Sequence, residues 1–267
     1  MSCRPLRPFW SYYGSAWGKT RRGAYPRPVF DTIVEPFAGA AGYSCHHPDR
    51  NVVLCDLDPT IAGLWRYLIR VSASEVLALP DVPPDGDVAS LAVCEEARWL
   101  IGWWCGRARP RVATSATSWV ERYGKASTAL FWGHAARERI AEQVEAIRHW
   151  RVFECDYRDA PVSGEATWFV DPPYSSKAGA AYQCSNAGID FDDLGRWCWE
   201  RSGQVIACEA DGASWLPFSP CGSHRATRGA SVEVSCVIEA GRVVPPAQVA
   251  LFETRLQGDG HDRRSEG

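Results

Sequence analysis

Thr167-Trp168-Phe169-Val170-Asp171-Pro172-Pro173-Tyr174 joins a short apolar strand to an acid, two prolines and an aromatic. The carboxyl ends of strands are where open α/β sheets bind ligands. Two consecutive prolines fix the direction of the chain and remove two backbone donors, which leaves carbonyls exposed and directs Asp171 and Tyr174 rigidly into a crevice. A plain proline-rich turn would account for the same four residues, so the rest of the chain must decide between the two.

Upstream, the apolar run from Asp31 to Glu35 stops at Pro36 and enters Phe37-Ala38-Gly39-Ala40-Ala41-Gly42, a loop of small residues that lets backbone approach a ligand closely. A glycine loop alone is weak. Asp56 strengthens it, because it follows a second strand, Asn51 to Cys55, at the place where nucleotide-binding folds keep an acid for ribose hydroxyls. The Gly-x-Gly-x-x-Gly spacing is absent and no long helix is expected after Gly42, which disfavours a pyrophosphate-binding dinucleotide site. Pro59 opens a helix through Ile61, Leu64, Trp65, Leu68 and Ile69.

Farther along, Pro80 to Asp87 reads as a loop and Ala92 to Trp104 as a helix. Gly106 to Lys125 is rich in Arg, Ser, Thr and Gly, and Ala136, Ile140, Val144 and Ile147 recur at helical spacing. Strands are expected at Val152-Phe153, Thr167 to Val170 and Gln204 to Cys208, with a Trp-rich helix from Asp190 to Glu200. Ser231 to Ile238 and Gln248 to Phe252 look like paired strands, and Thr254 to Gly267 like a disordered polar tail.

Composition excludes more than it selects. With 46% hydrophobic and 23% charged residues over 267 positions, the chain reads as an ordinary globular protein, without an apolar run long enough to span a bilayer. The first ten residues carry no apolar signal core, so a cytoplasmic protein is expected. Eleven cysteines without a Cys-x-x-Cys pair point to reduced thiols rather than a disulfide framework or zinc ribbon. Cys45-His46-His47 is not expected to hold a metal, because adjacent histidines cannot share one face of a regular element. The net charge of −3 confines any phosphate-binding surface to a local patch.

From about Phe9 to Phe252 the sequence resembles the Dam-like (alpha-group) adenine-specific DNA methyltransferases, whose cofactor motif precedes the recognition region and whose Asp-Pro-Pro-Tyr motif follows it. Tyr12-Tyr13-Gly14-Ser15 is similar to the family's amino-terminal cofactor motif, Val34 to Gly42 to its glycine loop, Cys55-Asp56 to its ribose acid and Asp171 to Tyr174 to its catalytic motif. Asp156-Tyr157 occupies the place of the acid and aromatic that bracket the cofactor adenine. One departure stands out: the family's lysine is replaced by Ala16, with Lys19 three residues later.

The resemblance implies an α/β fold, a Rossmann-like S-adenosylmethionine-dependent methyltransferase core at residues 1–60 and 151–253, with a helical target-recognition region at 61–150 and a polar tail at 254–267. It implies S-adenosyl-L-methionine as cofactor, held by Tyr12, Tyr13, Gly14, Glu35, Pro36, Phe37, Gly39, Asp56, Asp156 and Tyr157. Asp171, Pro172 and Tyr174 would act on the target amine, that of adenine or, alternatively, of cytosine at N4. DNA is the expected partner, through Arg107, Arg109, Arg111, Arg122 and Lys125, with Arg98, Trp103, Trp104, Trp119 and Tyr123 adding to a mixture suited to phosphate contacts and base stacking. A solvated basic face, and a non-catalytic protein that keeps the fold, are the competing explanations. A restriction endonuclease counterpart is left open.

Overall fold

The computed structural model describes residues 4–10, 12, 25–83, 86–106, 111–115, 131–177, 179–226 and 229–245. In chain order the elements are β1 (Thr32–Glu35), α1 (Gly42–Cys45), β2 (Asn51–Asp56), α2 (Pro59–Arg70), α3 (Ala73–Ala78), α4 (Glu95–Gly106) and α5 (His134–Ala141). There follow β3 (Arg151–Glu154), β4 (Ala166–Val170), α6 (Phe191–Trp199), β5 (Gly203–Ala210), β6 (Ser219–Ala226), β7 (Gly229–Glu239) and β8 (Arg242–Val243).

The described strands form one sheet in the order β3-β2-β1-β4-β5-β7-β6, with β8 pairing the end of β7. β1 to β5 run parallel, and β7 is antiparallel to both β5 and β6. This is a Rossmann-like, doubly wound α/β sheet. The strand order reverses between β1 and β4, which pair directly through Ile33↔Thr167 and Val34↔Trp168, and ligands bind at such a reversal.

Strands covered on both faces must be apolar throughout, and β4 is buried at all five positions. Alternation sends Ile33, Leu54, Phe169 and Ile206 to one face, under α2, α4 and α5 and the strap Phe9-Trp10. Val34, Val53, Trp168 and Val205 face the other way, against Leu194, Trp197 and Cys198 of α6. α2 starts where the sequence dictates: the Asp58 side chain accepts from Thr60 N at 2.8 Å, and Pro59 fills the first turn, where no backbone donor is needed.

Two sequence expectations are corrected. Trp103 and Trp104 of α4 are buried, at 2% and 5% exposure, and belong to the apolar cluster beneath the sheet rather than to a base-stacking surface. The Trp104 indole donates to the Phe9 carbonyl at 3.0 Å and carries the Arg139 guanidinium on its face at 4.6 Å. Arg98 likewise turns inward, donating to the Leu91 and Val93 carbonyls. Second, β7 pairs with β5 and β6, and β6 was not anticipated. Residues 248–252, its expected partner, lie outside the described residues, as does the tail at 254–267.

Among the described residues Cys45, Cys55, Cys94, Cys105, Cys155, Cys184, Cys198 and Cys236 are free thiols. Among the described residues no group of three or more His, Cys, Asp or Glu is placed to hold a metal ion, and no helix is long and apolar enough to cross a membrane. Burial holds the His47 imidazole down at about 4, with His46 and Arg50 adding to the effect.

Candidate cofactor and target site

The glycine loop leaves β1 and the Asp171–Tyr174 motif leaves β4, so the two motifs stand side by side at the reversal of strand order. Between Glu35 and α1 the chain turns through two left-handed residues, Gly39 (φ +44°) and Ala41 (φ 46°). The turn is pinned from four sides. Gly39 N–H donates to Asp56 Oδ2 at 2.9 Å, the Trp65 indole donates to Gly39 O at 2.8 Å, and Ala38 N–H donates to Cys55 O at 2.9 Å. Glu35, buried at 2% exposure, accepts from Ser44 N at 2.7 Å and so secures the far end of the loop. Pro36 is buried behind it.

Gly39 also meets the only described part of the amino-terminal motif. A Cβ on Gly39 would sit 3.2 Å from the Tyr12 ring, whose ring neighbours include Trp103 at 5.0 Å and Tyr182 at 5.9 Å between centroids. Burial, together with Asp56, pushes the Tyr12 hydroxyl well above the ordinary tyrosine range. Tyr12, Gly39 and Asp56 are thus brought together. Tyr13, Gly14, Ser15, Ala16 and Lys19 lie outside the described residues.

Asp56 ends β2 and does two structural tasks at once, its second oxygen accepting from Asp58 N at 2.9 Å. Burial raises its pKa to about 6, against the opposing pull of the Gly39 and Asp58 amides. Each carboxylate oxygen has about two acceptor directions, so one on each remains after these bonds. Next to it Leu57 is 56% exposed, an apolar side chain facing solvent beside the acid that the sequence reading passed over.

After β3, Asp156 and Tyr157 are divided between tasks. Asp156 caps the turn Tyr157–Asp159, accepting from the Arg158 backbone N–H and from its guanidinium, both at 3.0 Å. Tyr157 is buried, donates its hydroxyl to Asp193 of α6 at 2.9 Å, and packs against Phe37 at 5.4 Å and the edge of Trp197 at 5.3 Å. Phe37 therefore joins the loop after β1 to the turn after β3.

In the Asp171 motif, Pro172 is buried while Asp171 and Tyr174 are half-buried. The Tyr174 hydroxyl donates to Glu233 of β7 at 2.6 Å, and burial beside Asp171 and Glu233 pushes it far above the ordinary tyrosine range. Ser175 N–H donates to Glu209 of β5 at 2.6 Å, and the Asn186 amide donates to Tyr174 O at 2.7 Å and Ser176 O at 3.0 Å. Glu209 and Glu233 were not singled out in the sequence; the only signal was an acid set within each of two apolar strands.

Gly179 closes this turn so tightly that an added Cβ would lie 1.9 Å from Tyr174 O. The Gly179→Ala variant must displace the motif backbone, and overpacking of this kind costs about 1–3 kcal/mol. Its thermal midpoint should fall measurably, and an unchanged midpoint would show that the turn relaxes freely.

Of the basic residues expected to meet DNA, Arg111 is exposed, and Arg107, Arg109, Arg122 and Lys125 lie outside the described residues.

No protein-family model matches the chain, and no curated protein matches it. Solved structures align with it at low sequence identity. One, a "conserved hypothetical protein" of Streptococcus pyogenes, shares 10% identity over 79% of this chain and 88% of its own, with a TM-score of 0.36. Another, named "Putative methyltransferase yhhF from Escherichia coli", shares 8% identity over 76% of this chain and 74% of its own, with a TM-score of 0.31.

Proposed function

We propose that this chain transfers a methyl group from S-adenosyl-L-methionine to the exocyclic N6 amine of a flipped-out adenine in DNA. One observation carries the proposal: the small-residue loop after β1 and the Asp171–Tyr174 motif after β4 flank the reversal of strand order, with Asp56 beside them at the end of β2. A donor site and an acceptor site at adjoining strand ends are what direct transfer between two ligands requires.

The residues present fit the cofactor. Asp56 retains acceptor directions for ribose hydroxyls, the exposed Leu57 offers an apolar face for a purine, and the left-handed turn at Gly39 brings backbone close without a side chain. When bound, the cofactor supplies an electrophilic methyl group on a sulfonium. The chain's task is to aim the amine, a poor nucleophile because its lone pair is conjugated into the ring. The Asp171 carboxylate accepts a hydrogen bond from one amine proton and the Pro172 carbonyl from the other, favouring a pyramidal nitrogen. Tyr174 stacks on the extruded base and offsets part of the few kcal/mol lost on unstacking.

Cofactor binding should depend on the protonation of Asp56. The carboxylate form, which accepts on both oxygens, predominates above its value of about 6; affinity is therefore full above that pH and weakens as pH falls through it. Calorimetry from pH 5 to 8 should show this, and Asp56→Asn should flatten the profile. A parent profile that is already flat removes Asp56 from the cofactor site.

Incubation with methyl-labelled cofactor and DNA, followed by digestion to nucleosides, tests the function itself. Labelled N6-methyladenine is the expected product. Labelled N4-methylcytosine would move the target to cytosine, and an absence of label in every nucleoside would contradict the proposal.

A further inference from the structure

We infer that Glu233 and Glu209 are positioning residues of the target site: Glu233 sets the plane of the Tyr174 ring through its hydroxyl, and Glu209 fixes the backbone from which that ring projects. The inference rests on the proposed function and adds to it a support on β5 and β7 that no motif marks. The two strands are neighbours, with Ala210↔Glu233 and Glu209↔Val234 in register, so the two carboxylates arise from adjacent positions of the sheet.

Both groups are buried, Glu209 at 0% and Glu233 at 5% exposure. Taking a carboxylate out of water is costly, and an apolar residue would build either strand without that cost. What the carboxylates gain is specific to the motif. Glu233 Oε1 accepts from the Tyr174 hydroxyl and Glu209 Oε1 from Ser175 N–H, each at 2.6 Å. Glu209 is completed by Ala210 N–H at 2.6 Å and the Trp215 indole at 3.4 Å. With Asn186 on its carbonyl, Tyr174 is held at its hydroxyl, its carbonyl and the following amide. A ring anchored at its edge does not have to be ordered when a base arrives, which is the advantage of preorganisation.

The test compares the parent with Tyr174→Phe, Glu233→Gln, Glu233→Ala and the Tyr174→Phe/Glu233→Ala pair. Each is measured for cofactor affinity, for kcat and KM on DNA, and for the fluorescence of 2-aminopurine placed at the methylated position. Glu233→Ala should lower kcat about tenfold to a hundredfold, the scale of a small misplacement of a reacting group, with cofactor affinity unchanged. Glu233→Gln keeps an acceptor oxygen and should recover most of the rate. The double variant should be no worse than the poorer single one, because both remove the same contact. Unchanged kcat and unchanged 2-aminopurine fluorescence in Glu233→Ala would overturn the inference while leaving the function intact. If Glu233→Ala does not fold, Tyr174→Phe decides, since it keeps the ring and loses only the hydroxyl: parental kcat there overturns the inference. A parent that methylates no base removes the proposed function, and this role with it.

Discussion

Asp171→Ala should lose methyl transfer by about 10²–10³-fold while binding cofactor as the parent does, the scale seen when one preorganised polar partner of a transition state is removed. The reason lies in position. Asp171 is the first residue beyond β4, whereas the glycine loop and Asp56 belong to β1 and β2. Truncating the side chain leaves the bonds that hold the motif in place, Tyr174 to Glu233, Ser175 to Glu209 and Asn186 to the Tyr174 carbonyl. Cofactor affinity by calorimetry and single-turnover methyl transfer separate the two properties. Near-parental transfer by Asp171→Ala would refute the assigned chemistry, and a matching loss of cofactor affinity would place Asp171 on the wrong side of the site.

The largest effect on folding should come from Trp65. Its side chain is fully buried, in ring contact with Trp10 at 4.9 Å and with Phe9 and Trp150 at 5.6 Å, and it donates to Gly39 O at 2.8 Å. Trp65→Ala removes this packing and should cost about 3–5 kcal/mol, a large part of the roughly 5–15 kcal/mol that holds a domain together. Trp65→Phe separates the two contributions, because it restores most of the apolar volume but not the indole N–H. The Gly39 carbonyl then loses its partner, at a cost of about 1 kcal/mol. Denaturant midpoints should rank parent, Phe and Ala in that order, with cofactor affinity already reduced in the Phe variant. A shift below about 1 kcal/mol for Trp65→Ala would mean that the strap at Phe9-Trp10 collapses into the space.

The core strands were legible because each is a short apolar run ended by a residue that breaks it: Glu35-Pro36 after β1, Asp56 before Pro59 after β2, Asp171-Pro172 after β4. Those same breaks carry the candidate site residues, which is why fold and candidate residues could be read together. β6 was missed because Ser-Pro-Cys-Gly-Ser-His-Arg-Ala lacks alternation and contains a proline, which an outer strand tolerates. Trp103 and Trp104 were misassigned because a mixture of Arg and Trp has the same composition whether the rings face a nucleic acid or a sheet; only the packing of α4 against the strap decides it. Tyr157 shows the same ambiguity at a single position, an aromatic after a strand that turns down onto Trp197. Glu209 and Glu233 escaped because their partners, Ser175 and Tyr174, are remote in sequence and meet them only through the pairing of β5 with β7.

A crystal structure with S-adenosylhomocysteine tests the central claim most directly. The expected result is ribose hydroxyls within hydrogen-bonding distance of the Asp56 carboxylate, the purine against Leu57, and the sulfur on the side of the loop that faces Asp171. Binding anywhere other than the ends of β1, β2 and β4, or no binding at saturating concentration, would contradict it.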